Sequence, residues 1–93
     1  MKAQRLFYTR EDIQPRGFVE ISVWEVPAPV RGSEHVFKYS MAFIVDGKCV
    51  LRYDNEAGKG DHKHIGNQEV PYAFSTVEQL FDDFMADVDQ WSE

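Results

Sequence analysis

The sequence holds one cysteine, no apolar run long enough to cross a membrane, and no lysine or arginine between Ser75 and Glu93. Each shortage excludes something. A lone Cys49 cannot close an internal disulfide, and its setting in KCVLRY predicts a reduced core residue of a cytoplasmic protein. The longest apolar stretch, MAFIV, has the length of a strand. A membrane helix needs about 20 apolar residues, so no membrane association is expected. The N-terminal MKAQRLFYTRED lacks the apolar segment of a secretory signal. Gly58-Lys59-Gly60 resembles a phosphate-binding turn but lacks P-loop spacing and a surrounding βαβ unit. No nucleophile-elbow sequence marks a serine for covalent catalysis.

What is present is enough for one small globular domain spanning residues 1–93, since 43% of the residues are hydrophobic and 14% aromatic. The charge is divided unevenly. Of 16 acids, six (Glu78, Asp82, Asp83, Asp87, Asp89 and Glu93) follow Ser75, which leaves ten acids against all 10 bases in the first part. The body is neutral and the tail acidic. A net charge of −6 is unfavourable for nucleic acid over the chain as a whole, but a neutral body can still carry a local basic face.

Hydrophobic periodicity predicts an α+β fold: about four antiparallel strands in a meander, one face packed by a C-terminal helix. Ala3–Thr9 alternates as a strand, and Arg10–Gly17 looks like a turn around Pro15 and Gly17. Phe18–Val26 is a second strand, with Val19, Ile21 and Val23 on one side. Pro27–His35 is an irregular loop. Val36–Val45 carries the apolar row Phe37, Tyr39, Met41, Phe43 and Val45, and Asp46-Gly47 then forms a type I′ hairpin turn into Lys48–Asp54. The helix runs from about Thr76 to Trp91, with Ser75 and Glu78 as a capping box. Its stripe is Val77, Leu80, Phe81, Phe84, Val88 and Trp91, flanked by Met85, and the acids between face water. The single helix leaves one sheet face and two edges uncovered, which is compatible with a homodimer or with a bound partner.

Leu51–Gly66, LRYDNEAGKGDHKHIG, is the segment richest in reactive groups. It starts as a strand and then reads as a long loop, longer than connections in compact domains usually are. Lys38, Arg52 and Asp54 fall on the mixed face of the hairpin, and the loop adds Lys59, Asp61, His62 and His64, so all seven are expected on one side of the sheet. Cleaving a phosphodiester needs a group to take the 2′-hydroxyl proton, a group to protonate the leaving oxygen, and cations on the phosphate. His62 and His64 suit proton transfer, with Asp61 and Asp54 as carboxylate partners. Lys38, Arg52 and Lys59 suit phosphate, and Tyr53 could stack on a base. The plainer alternatives stay open: Arg52 and Asp54 as an exposed ion pair, Asp61 as a turn former. His62 and His64 would point the same way if extended, but with Asp61 as a poor third ligand and His35 far off in sequence, neither a metal nor another cofactor is expected.

The series FVEISVWEVP, HVFKYSMAFIVDGKCVLRYDNEAGKGDHKHIG, PYAF and STVEQLFDDFMADV resembles the TumE family of bacterial toxin–antitoxin proteins. The resemblance runs from about Lys2 to Trp91, and its most specific part is FKY followed by RYDNEAGKGDHKH. It implies a toxin whose partner is an antitoxin with a helix-turn-helix domain. Many toxins of this size are metal-independent ribonucleases, which adds RNA as a target by analogy of class. The alternatives are a non-catalytic module that blocks its target by occlusion and a metal-dependent hydrolase built on His62 and His64.

Overall fold

The structure is a computed structural model that describes residues 3–13, 17–56 and 58–92. Six strands form one antiparallel sheet in chain order: β1 (Gln4–Ile13), β2 (Gly17–Glu25), β3 (Phe37–Val45), β4 (Lys48–Glu56), β5 (Gly60–Ile65) and β6 (Gln68–Pro71). A single helix, α1 (Val77–Ser92), packs on one face. The architecture is the expected α+β meander, with six strands where about four were expected.

One additional strand, β5, comes from the segment read as a loop, and the other, β6, follows directly after it. β4 continues to Glu56, and Gly60–Ile65 returns beside it, pairing Asp54 with His62 and Arg52 with His64. GDHKHI alternates between two polar sets, so hydrophobic patterning gives no sign of a strand there. Gly58 (φ 88) and Gly60 (φ 76) supply the left-handed backbone that the reversal requires. A second tight turn at Gly66 (φ 60) leads into β6.

Other expectations shift in detail. Most of the turn expected over Arg10–Gly17 is strand, since Arg10, Glu11 and Asp12 pair with Glu20, Val19 and Phe18. The Arg10 guanidinium covers the Phe18 ring at 4.0 Å, so a charged residue is accommodated on this edge strand. Pro15 lies outside the described residues. Asp46 (φ 51) and Gly47 (φ 79) form the expected hairpin turn. Beyond that turn Val50 is an extra residue on β4, because Ile44 faces Cys49 while Phe43 faces Leu51. Cys49 is therefore exposed on the uncovered face and is not a core residue.

The core lies between sheet and helix. Val19, Ile21 and Val23, Tyr39, Met41 and Phe43, and Leu51 and Tyr53 meet Leu80, Phe84 and Val88. The cap of α1 is Thr76, whose Oγ1 accepts the Gln79 amide at 3.0 Å, one residue later than expected. Trp91 keeps 45% of its surface, against the burial its place in the stripe suggests. It sits in the last turn of α1 and meets the Phe43 ring edge-on at 5.6 Å, with the rest of the indole open. Two acids of the helix turn inward rather than to water: Tyr53 donates to Asp87, Tyr72 donates to Asp83, and Lys63 reaches Asp87 at 3.2 Å. Burial, and then the carboxylate each phenol faces, push Tyr53 and Tyr72 well above the usual range.

Candidate functional site

Register divides the reactive residues between two faces of β5. Asp61 and Lys63 point toward the helix side, while His62 and His64 point to the uncovered face. The seven residues expected together therefore do not all meet. Lys38, Arg52, Asp54, His62 and His64 share the uncovered face, Lys59 stands at its rim, and Asp61 is turned away. Tyr53 also leaves the group: it is fully buried under α1 and presents no ring face to a base.

On the helix side Asp61 anchors a closed polar network. Its carboxylate accepts from Ser33 Oγ at 2.6 Å, His35 Nε2 at 2.7 Å and Tyr39 Oη at 2.7 Å. His35 Nδ1 in turn accepts the Phe37 amide, and its ring stacks on Phe74 with centroids 3.8 Å apart. Asn55, completely buried, donates to Phe37 O and Ser33 Oγ and accepts from the Tyr39 amide. Burial pushes the Asp61 carboxyl up, but the bonds from Ser33, Tyr39 and His35 outweigh it and hold the group below the usual aspartate range. Tyr39 is pushed far up by burial and then by its bond to Asp61. A hollow of about 420 Å³ opens beside this network, lined by His35, Lys59, Asp61, Tyr72 and Phe74 among others. Every polar group at its base is already paired, as in a structural network that ties the 26–36 loop to β5. Sequence reading missed Ser33, His35 and Asn55 because Ser33 and His35 reach Asp61 from 28 and 26 positions away and Asn55 reaches Ser33, Phe37 and Tyr39 from 16 or more.

The uncovered face is different. Two cross-strand rows run over β4, β5 and β6. One is Asp54, His62, Pro71, and the other is Arg52, His64, Glu69. In the first row His62 is 4% exposed and Asp54 7%. His62 Nδ1 lies 3.0 Å from Gly60 O, and its Nε2 lies 2.7 Å from Asp54 Oδ1 and 3.7 Å from Glu69 Oε1. Arg52 Nε stands 3.1 Å from Asp54 Oδ2. The approaches to Asp54 and Glu69 are not aligned hydrogen bonds. Arg52 Nε, Asp54 Oδ1 and His62 Nε2 are all removed from solvent and find no hydrogen-bond partner among the described residues. In the second row the Arg52 and Glu69 side chains are each 42% exposed and His64 is half-buried, its ring edge-on to His62 at 5.1 Å. Lys59 Nζ comes within 3.8 Å of Glu69, beside a smaller hollow of about 260 Å³. Glu69 escaped sequence reading because nothing local announces that β6 pairs with β5.

Buried polar groups left without aligned partners are costly and rare, so they mark this face rather than the satisfied helix-side network as the candidate site. The row above them brings a guanidinium, an imidazole and a carboxylate side by side, with Cβ spacings of about 4.5–5.5 Å expected for direct cross-strand neighbours. That set can bind an anion and move a proton on either side of it.

No helix among the described residues is long and apolar enough to cross a membrane. Comparison with curated proteins and with solved structures finds no match. Comparison with family models does: the model described as Toxin TumE matches residues 2–92, which takes in all six strands, the helix and both polar clusters, and the chain belongs to the TumE toxin family.

Proposed function

We propose that this protein is the toxin of a type II toxin–antitoxin pair, that it cleaves RNA at the uncovered face, and that an antitoxin carrying a helix-turn-helix domain neutralises it. The observation that carries the catalytic reading is the exposed row Arg52, His64, Glu69 standing on the dehydrated Asp54–His62 pair. Arg52 is placed to hold the non-bridging phosphate oxygens, with Lys59 and Lys38 adding positive charge from the rim. Glu69 takes the proton of the 2′-hydroxyl, whose oxygen attacks the adjacent phosphorus. His64 protonates the departing 5′-oxygen, leaving a 2′,3′-cyclic phosphate and a free 5′-hydroxyl. His62 is too enclosed to touch substrate and acts by positioning, with its ring against His64 and its Nε2 beside Asp54.

The test is expression of the toxin without its antitoxin. His64→Ala and Arg52→Ala are expected to relieve growth arrest at equal protein level with unchanged circular dichroism. The purified wild type is expected to leave cyclic-phosphate ends on RNA. Arrest with intact RNA, unaffected by either substitution, would replace this reading with occlusion of a target by a non-catalytic toxin.

A further inference from the structure

His62, His64 and Glu69 are adjacent on β5 and β6, and their ligand atoms lie within 4.8 Å of one another. Asp54 Oδ1 is nearer still to His62 Nε2, at 2.7 Å. His62 Nδ1 faces the Gly60 carbonyl at 3.0 Å, and only an N–H makes a bond to a carbonyl, so Nδ1–H is the donor there. Nε2 then turns a lone pair toward a carboxylate oxygen. Two dehydrated acceptors in contact repel each other unless a positive charge joins them.

A proton on Nε2 would serve only if its N–H were aimed at Asp54, and it is not. Atoms that crowd together without pointing at each other are arranged as ligands of a common centre. We propose that the uncovered face binds one divalent transition-metal ion, of the zinc class, through His62 Nε2, His64 and Glu69, with an Asp54 oxygen as the fourth ligand. Two imidazoles and carboxylates without a thiolate suit zinc and its neighbours in the first row. The bond from His62 Nδ1 to a backbone carbonyl is the support that metal-bound histidines ordinarily have. Ligands about 2 Å from one ion stand roughly 3–4 Å apart, so the set closes when His64 and the exposed Glu69 rotate inward and the His62–Asp54 pair opens from 2.7 Å. Arg52 on Asp54 Oδ2 and Lys59 near Glu69 offset the carboxylate charge and favour a moderate, exchangeable affinity.

The site overlaps the row proposed to cleave RNA, and the inference deepens that reading. An ion held there withdraws both imidazoles and Glu69 from proton transfer, so metal loading and cleavage are mutually exclusive. Binding itself does not depend on RNA chemistry and is measured separately. Chelator-treated protein is titrated with Zn²⁺ by calorimetry and with Co²⁺ by visible absorption. The expected result is one equivalent per chain with cobalt bands of a low-coordinate nitrogen–oxygen site. His64→Ala and Glu69→Gln, both away from the core, each weaken binding about tenfold or more with unchanged circular dichroism. Absence of saturable binding, or binding that both variants retain, overturns the proposal. Cleavage by the chelated protein, inhibited by zinc, supports the overlap. If zinc binds and cleavage is unaffected or absent, the site stands and the RNA reading at this row falls.

Discussion

Gly32 and Gly60 meet backbone to backbone. A Cβ added to Gly32 would stand 2.7 Å from the Gly60 nitrogen, and one added to Gly60 would stand 2.7 Å from the Gly32 oxygen. Both have positive φ, 98° and 76°. The contact docks the loop after β2 onto the β4–β5 turn, beside the Arg31 O to Gly58 N bond at 2.6 Å, and it fixes the Gly60 carbonyl that orients His62. Gly60→Ala or Gly32→Ala is expected to cost about 1–3 kcal/mol for backbone strain, before the overlap is counted. Chemical denaturation checks this: a midpoint equal to wild type for Gly60→Ala would show that the two segments do not touch.

Phe84 and Trp91 belong to one apolar stripe but should respond differently. Phe84 is fully buried, edge-on to Tyr53 at 5.4 Å, and Phe84→Ala should cost about 3–5 kcal/mol, enough to unfold so small a domain. Trp91 keeps nearly half its surface, so Trp91→Ala should cost clearly less, about 1–2 kcal/mol by apolar area. Equal losses in urea unfolding would mean that α1 packs more deeply at its end than described.

Asp61 gives an acid dependence with a definite sign. Its carboxyl is held below the ordinary aspartate range in the fold, so it binds fewer protons there than in the unfolded chain. Its contribution is fully present above the unfolded value of about 3.9 and is lost as pH falls through the lower folded value. Asp61→Asn should therefore cost about 1–3 kcal/mol near neutral pH, with the gap from wild type narrowing below about pH 4. A gap that is the same at pH 7 and pH 3.5 would mean that the carboxylate charge plays no part in the network.

β1 is a ten-residue edge strand whose Leu6, Phe7 and Tyr8 are exposed, a ready surface for a further strand. On adding the antitoxin, hydrogen exchange should slow in β1 more than in the buried β3. Protection confined to the β5–β6 end would place the partner over the polar rows instead.

The fold was legible where one side of an element is apolar. The β2, β3 and helix patterns, and the Asp46-Gly47 turn, follow from spacing alone because the core demands it. β5 was not legible, since Asp61, His62, Lys63 and His64 are polar on both sides and the face of each depends on pairing with β4. The site was legible as composition but not as geometry. Arg52, Asp54, His62 and His64 fall together, whereas Asp61 belongs to a network whose other members lie in the 26–36 loop (Ser33, His35), on β3 (Tyr39) and on β4 (Asn55). Glu69 needed the three-dimensional pairing to be seen at all, and His35, set aside as far off in sequence, needed it to be joined to Asp61.

The extra residue at Val50 decides which side chains of β4 face the core in a chain of this length. With even pairing out from Val45 and Lys48, Arg52 would face Met41 and Asp54 would face Tyr39, both on the core side. The bulge moves them to Ala42 and Ser40 on the uncovered face. Losing one codon between Gly47 and Leu51 would remove the bulge and close the hairpin in even register, with Leu51 still facing Phe43, Arg52 facing Ala42 and Asp54 facing Ser40. In a deep mutational scan a single-codon deletion among residues 48–50 should therefore be tolerated better than one in the regular pairing from Leu51 to Asp54, where no bulge is left to absorb it.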